Sequence, residues 1–395
     1  LHCGTIRNVT IGVHARVHGA QFLENGTINS CVEHPTEVGE GVQAKSFILS
    51  EGARVESGAV LDKAFVGQGV KMGKQFSAEN SLFFANCEAF HGEAVSLFGG
   101  PYTVTHHKST LLIAGLFSFY NAGSGTNQSN HMYKLGPVHQ GVLERGCKTG
   151  SFSYLLLEAH IGAFSVVIGK HYANLDLPNL PFSYISEEEG NSKIVPGMNL
   201  PAVGTVRDGE KWPKRDGRKA PKKRDLIIFD VFSPYTIEKM RGGRNELLAL
   251  SEKVPREKTF VMYGGAQLSR LLLKKGAKYY SLGITRYLQG KVLDRVREAL
   301  TKEKQWSAAI ASLKPSSMLE KPEEWTDVSG LLTPRERLTA LEEKVATCAC
   351  SSYDDLLAGF QAMYDSYRND EWQYVYDVYA KEYGIQLNAV TKEQL

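Results

Sequence analysis

Along the first 170 or so residues, small aliphatic side chains recur about every six positions, often with glycine directly after. Ile11-Gly12, Val17 and Leu23 open the series, and Val38 and Ala44 resume it after a break. Val55, Leu61, Val66, Met72 and Ala78 keep the phase, and Ile161-Gly162 and Ile168-Gly169 close it, seven apart. This period is neither the roughly 3.6 residues of a helix nor the roughly two-residue alternation of a half-buried strand. It suits a triangular, left-handed parallel β-helix, in which each six-residue unit makes one flat side and one corner. The aliphatic residue faces the narrow prism, and glycine or a small polar residue turns the corner. Each coil covers the apolar edge of the next, so stability is built from neighbour stacking. An antiparallel sandwich with Gly-rich turns is the competing fold, but it would show clearer alternation. The phase blurs from about 80 to 141, so an insertion or irregular excursion from the coil is expected there.

The pattern changes after residue 173. Residues 174–232 carry prolines (Pro178, Pro181, Pro196, Pro201) and read as an extended connecting arm. Its stretch Arg207–Asp225 holds nine Lys/Arg and four Asp/Glu, either a solvated connection or an anion-facing patch for phosphate or nucleotide groups. From 233 to 395 the spacing is helical. Ser233-Pro234 caps a helix running through Leu250. Gln267–Ala299 carries Leu268, Leu271, Leu272, Leu288, Val292 and Val296 at helical intervals, interrupted near Gly276 and Gly283. Thr333-Pro334-Arg335-Glu336 reads as a capping box for a helix to about Thr347, and Asp354–Tyr383 bears an aromatic stripe that reads as core. The expected chain is therefore mainly β, a left-handed β-helix over 1–173, followed by the arm and an α-helical domain.

Composition narrows this picture little. With 46 Lys/Arg against 43 Asp/Glu the net charge of +3 is too near neutral to point to a nucleic-acid partner. No run approaches the ~18 apolar residues of a membrane helix, and Leu111–Phe119 is too short. The six cysteines are scattered, with no C-x-x-C pair, and read as reduced thiols of a cytoplasmic protein. The chain opens on Leu1, which reads as a truncated or processed start.

Candidate chemistry concentrates in Phe98–Gly141, where four histidines, His106, His107, His131 and His139, sit among amides and glycines. Buried imidazoles and amides need partners, so this mixture suits a polar pocket better than a core. His106 and His131 are the candidate general bases, since a tautomer-fixed imidazole titrates near neutral pH. If their segment is extended, His106 and His107 point in opposite directions. His107, Lys108, Ser109, Asn121, Asn127, Gln128, Asn130, Lys134, His139 and Gln140 are the candidate substrate contacts. The lysines suit phosphate or carboxylate as point charges, and the amides suit sugar hydroxyls or a uracil edge. The same amides also serve for corner-turn hydrogen bonds within a coil. No metal site is expected: a carbonic-anhydrase-type lyase on this coil would need an H-x4-H pair, which the chain lacks.

With its six-residue repeat, the first half resembles the hexapeptide-repeat superfamily, which includes trimeric UDP-sugar acyltransferases. A closer resemblance is to a bacterial family defined only as a domain of unknown function. It rests on Gly100–Gly115, Asn121–Pro137, Trp212-Pro213-Lys214-Arg215-Asp216 and Ser233-Pro234-Tyr235-Thr236, and covers roughly residues 1–245. The superfamily implies acyl transfer from a CoA thioester to a sugar or nucleotide-sugar, with a histidine as general base. It also implies a homo-oligomer, a trimer in that superfamily, with the donor arm between subunits. The alternative is a non-catalytic ligand-binding or scaffolding β-helix.

Overall fold

A computed structural model describes residues 2–129, 140–303 and 305–391. The chain forms two compact units, Leu1–Asp225 with Leu247–Gly276, and Leu226–Glu246 with Ala277–Leu395.

The first unit is a parallel β-solenoid. Its strands pair with strands one coil onward: Val60 with Ser77, Ser77 with Glu93, and Glu93 with Leu111, advances of 17, 16 and 18 residues. Three six-residue sides make such a coil. The long strands Thr5–Ile11, Phe22–Ile28, Gln43–Leu49 and Val60–Val66 each serve two sides. They turn the corner between them at Asn8, Asn25, Ser46 and Lys63, all with φ near +50°. Past Val60–Val66 the sheet forks, Val60 continuing to Ser77 and Phe65 to Leu82. The third side is a separate thirteen-stranded sheet, parallel from Arg16–Val17 to Tyr184–Glu188. The antiparallel hairpin Phe260–Tyr263/Ala266–Ser269 extends it through Asn191–Val195. Side-by-side parallel coils rule out the sandwich.

Three interior columns fill the prism. Leu23, Ala44, Leu61 and Ala78 stack on the first side, Ile28, Leu49, Val66 and Phe83 on the second, and Val38, Val55, Met72 and Ala89 on the third, all buried. The six-residue phase therefore marks the core. Two positions of the series are exposed: Ile11, 46%, the register partner of buried Ile28, and Ile168, 45%, where Val167, six after Ile161, is the interior residue. Glycines following an interior residue also differ from expectation. Gly67 is required by close approach, since a Cβ there would meet the Phe83 carbonyl at 2.8 Å, while the left-handed corners are shared by glycine, Asn, Ser and aromatic residues.

The coils run on through the stretch where the phase blurred. Leu82–Phe83 to Asn127–Ser129 are regular members of the three sides, so residues 82–129 make no excursion. The blur arises because polar and aromatic residues take interior positions there: Thr105, Gln128, Phe117 and Tyr120 are all buried. The coils also continue past 173, through Asp176–Leu177 and Tyr184–Glu188.

The helices are α1 (Val203–Lys211), α2 (Pro234–Lys253), α3 (Arg270–Lys302), α4 (Trp306–Ala311), α5 (Arg335–Ala346) and α6 (Tyr353–Tyr383). Helix α3 passes Gly276 and Gly283 unbroken; Gly276 is instead where Pro196 approaches, 2.9 Å from a would-be Cβ. Pro334, not Thr333, is the N-cap of α5, and no capping box forms there. One forms at α6, between Ser352 and Asp355. In the second unit the aromatic stripe of α6 is core as expected, with Tyr367, Tyr374 and Tyr379 buried. Asp370, fully buried, is held by both arms of Arg337 at 2.6 Å.

Candidate functional site

The third side of the solenoid supplies the floor of a cleft of about 670 Å³. Lys71, Glu88, Val104, Asn121 and Lys148 are successive register partners on adjacent coils and all line it. With coils about 4.8 Å apart, four steps give a floor roughly 19 Å long. Strand alternation places this column outward while its neighbours Met72, Ala89, Thr105 and Ala122 point into the prism.

The facing wall is the basic arm, which is fastened rather than solvated. It descends the solenoid against the direction of coil growth. Asp208 pairs with Lys148, the Trp212 carbonyl accepts from Tyr102 Oη (2.9 Å), and Asp216 Oδ1 accepts from Asn86 Nδ2 (3.1 Å). Further down, Gln68 exchanges bonds with Lys222 O and Arg224 N, both 2.9 Å, and Arg224 grips Glu51 at 2.6 Å. Among the arm's cations, Arg218 and Lys223 pair with Asp216 and Arg224 with Glu51. Arg224 holds Glu51 down at about 2 against the opposing effect of burial. Burial alone would raise Asp216, but Arg218 and Lys223 hold it well below the usual carboxylate range.

Between floor and wall runs a corner of unusual residues. Asn86, Tyr102, Phe119, Phe164 and Phe182 all have φ between +51° and +60°, a conformation costing of order 1–3 kcal/mol for such side chains. Packing repays it. Tyr102 and Phe119 stack at 5.5 Å, the Arg145 guanidinium lies 4.9 Å from the Phe119 ring, and Phe164 stacks on Phe182 at 5.0 Å. Trp212 seats on Phe119 at 4.5 Å and on Phe164 at 6.1 Å. Two segments about 100 residues apart in sequence, Gly100–Gly115 and Trp212–Asp216, therefore meet at this cleft.

The cleft's titratable groups are ordered. His106 Nε2 lies 2.5 Å from Glu88 Oε2, and Glu88 Oε1 accepts from Lys71 Nζ at 2.9 Å. The His106 bond, outweighing burial, and then Lys71 bring the Glu88 carboxyl down to about 2. An ionised carboxylate on one ring nitrogen orients the imidazole and leaves its other nitrogen for a ligand. Burial pushes the Tyr102 and Tyr120 phenols well up, so they stay protonated. Four cations, Lys71, Lys148, Lys211 and Arg215, face two carboxylates, Glu88 and Asp208.

Of the residues expected from sequence, His106 and Asn121 line the cleft. His107, Lys108 and Ser109 lie on the exposed corner beyond it, with the His107 ring edge-on to His106 at 6.4 Å. Asn127 is half-buried on another side, and Gln140 is exposed away from the cleft. Gln128 is fully buried between Leu112 and Leu155 inside the prism, so it is core and not a substrate contact. Asn130, His131, Lys134 and His139 lie outside the described residues. Glu88 and Lys71 were missed. Glu88 lies one coil back from Val104, two residues before His106, and Lys71 one coil back from Glu88, so the register of the coils finds both.

The model of a domain-of-unknown-function family, DUF4954, matches residues 1–251, and that of a second such family, DUF6819, matches residues 305–395. A Treponema pallidum (strain Nichols) protein, described as uncharacterized, is 25% identical over 410 residues, covering 95% of this chain. This chain spans 55% of that relative's length. A crystal structure of the D94A mutant of AntD, an N-acyltransferase from Bacillus cereus in complex with dTDP and coenzyme A, covers 54% of this chain and 90% of its own. Its 12% identity and TM-score of 0.16 carry no functional argument. With well over half its length matched by the first family model, the chain belongs to the DUF4954 family of domains of unknown function.

Proposed function

We propose that the cleft is the active site of a group transferase acting on an anionic small molecule, with His106 as general base. The observation that carries this reading is the Lys71–Glu88–His106 chain on one wall of a cleft lined by four cations. The finer reading, acyl transfer from a CoA thioester to a sugar or nucleotide-sugar, follows the resemblance to hexapeptide-repeat acyltransferases. In it, His106 takes the proton of the acceptor hydroxyl or amine as that atom bonds to the thioester carbonyl. The C–S bond then breaks, and the leaving thiolate takes a proton. The resemblance further suggests a homo-oligomer, a trimer in that superfamily.

One observation favours the non-catalytic alternative. The register column that holds Lys71 and Glu88 also holds Arg16, Glu37 and Arg54, paired at 3.0 and 2.9 Å on the coils that precede the cleft lining. Glu88 then continues a charge ladder that ties coils together. A panel of CoA, acyl-CoA and UDP-sugars in thermal melts, with turnover assays, separates the two. The transferase reading expects a melting shift with at least one ligand class. It also expects His106→Ala to keep the fold and lose turnover. No shift across the panel sinks it, and turnover surviving His106→Ala removes the base.

A further inference from the structure

We infer that Arg215 is the anchor for an oxyanion group, phosphate or carboxylate, on the ligand of this cleft. The inference rests on the cleft being a ligand site but not on any transfer occurring there.

Its ground is a charge balance read residue by residue. Both carboxylates that line the cleft, and the one next to Arg215, are already engaged. Glu88 holds Lys71 and His106. Asp208 holds Lys148 and lies 3.9 Å from Lys211. Asp216, the immediate neighbour of Arg215, is bound by Arg218 and Lys223, both at 2.8 Å. Arg215 lines the same cleft, is exposed to it, and makes no ion pair among the described residues. It is therefore the lining cation whose charge no neighbouring acid cancels, in a concave site where field lines concentrate. A planar guanidinium offers two parallel donors to a phosphate or carboxylate, which a lysine does not.

Its position is also fixed. The turn Pro213–Arg215 sits between Trp212, clamped on Phe119 and held by Tyr102, and Asp216, clamped on Asn86 and Arg218. Both flanks are tied to the solenoid corner, so the backbone bearing Arg215 is held in place. Asn86 lies on the coil of Glu88, which puts this anchor at the His106 end of the floor rather than at the Lys148 end. An anionic group held there lies beside the atom on which His106 would act.

The test is titration calorimetry on the full chain with inorganic pyrophosphate, inorganic phosphate and succinate as probes. At least one probe is expected to bind the unmodified protein. Arg215→Met should weaken that binding at least tenfold, and Arg215→Lys by an intermediate factor. Lys214→Met, which removes the same charge from an adjacent exposed residue outside the cleft lining, should change it less than twofold. Tight pyrophosphate or phosphate binding identifies a phosphate-bearing ligand, and preferential succinate binding a carboxylate. Arg215→Met binding within twofold of the unmodified protein overturns the inference, as does equal weakening by Lys214→Met or no binding by any probe. Failure of the transferase reading looks different: anion binding stays dependent on Arg215, while no acyl donor turns over.

Discussion

Replacing Phe119 tests whether the corner that seats the arm imposes left-handed backbone. Phe119 is 3% exposed, has φ +51°, and packs on Tyr102, Trp212 and Arg145. Truncation to alanine should cost roughly 3–5 kcal/mol, the usual range for a buried phenylalanine. Alanine keeps a Cβ at positive φ, a strain of about 1–2 kcal/mol that glycine does not carry. Glycine gives back about 0.5–1 kcal/mol through a freer unfolded chain. Phe119→Gly should therefore be more stable than Phe119→Ala, by about 0.75 kcal/mol at the middle of these ranges, the reverse of the order in an ordinary strand or helix. Native-state hydrogen exchange of peptides covering 98–125 across a urea series reads this coil directly. An alanine variant equal to or more stable than the glycine variant refutes the reasoning. In both variants Trp212 loses its seat, so any ligand-induced protection of Lys211–Gly217 should weaken as well.

Acid should release the arm. Glu51, ordinarily near 4.5, is held down to about 2 by Arg224 of the arm, so its stabilisation is complete above the ordinary value and disappears as pH falls toward 2. Pepsin cleavage within 212–225 should rise across that window and begin at higher pH in Arg224→Met; a flat cleavage rate would count against the clamp. Gly123→Ala should destabilise the solenoid by about 1–3 kcal/mol, since its Cβ would sit 2.4 Å from the Gly150 carbonyl of the next coil; a melting temperature within a degree of the parent would contradict that contact. In the helical unit, Asp370→Ala removes a fully buried carboxylate, but Arg337 is 37% exposed and regains water. Its cost should be about 2 kcal/mol, below the ~3–5 of a pair buried on both sides, read from helical ellipticity in urea.

The solenoid and its interior residues were legible in the sequence because a six-residue side repeats with one inward position, and burial enforces that phase coil after coil. Val38, Val55 and Met72 could hardly lie elsewhere. The helical second half was legible for the same reason, through the stripe at Tyr367, Tyr374 and Tyr379. The site was half legible: His106 stood out by its chemistry, while Glu88 and Lys71 are ordinary charged residues until the coil pitch brings them beside it. Gln128 misled because a polar residue in an aliphatic register looks like a ligand contact, although here the prism has enclosed it. Nothing local could assign the arm. Its basic residues suited water or a ligand equally well, and only the fold decided which carboxylate each would meet. Long-range pairing chose Glu51 for Arg224 and Asn86 for Asp216, and left Arg215 facing the cleft. Sequence determined the coil, since its periodicity is a local property paid at every turn. Tertiary structure decided the site, since a cleft is made by residues whose separation along the chain exceeds any local rule.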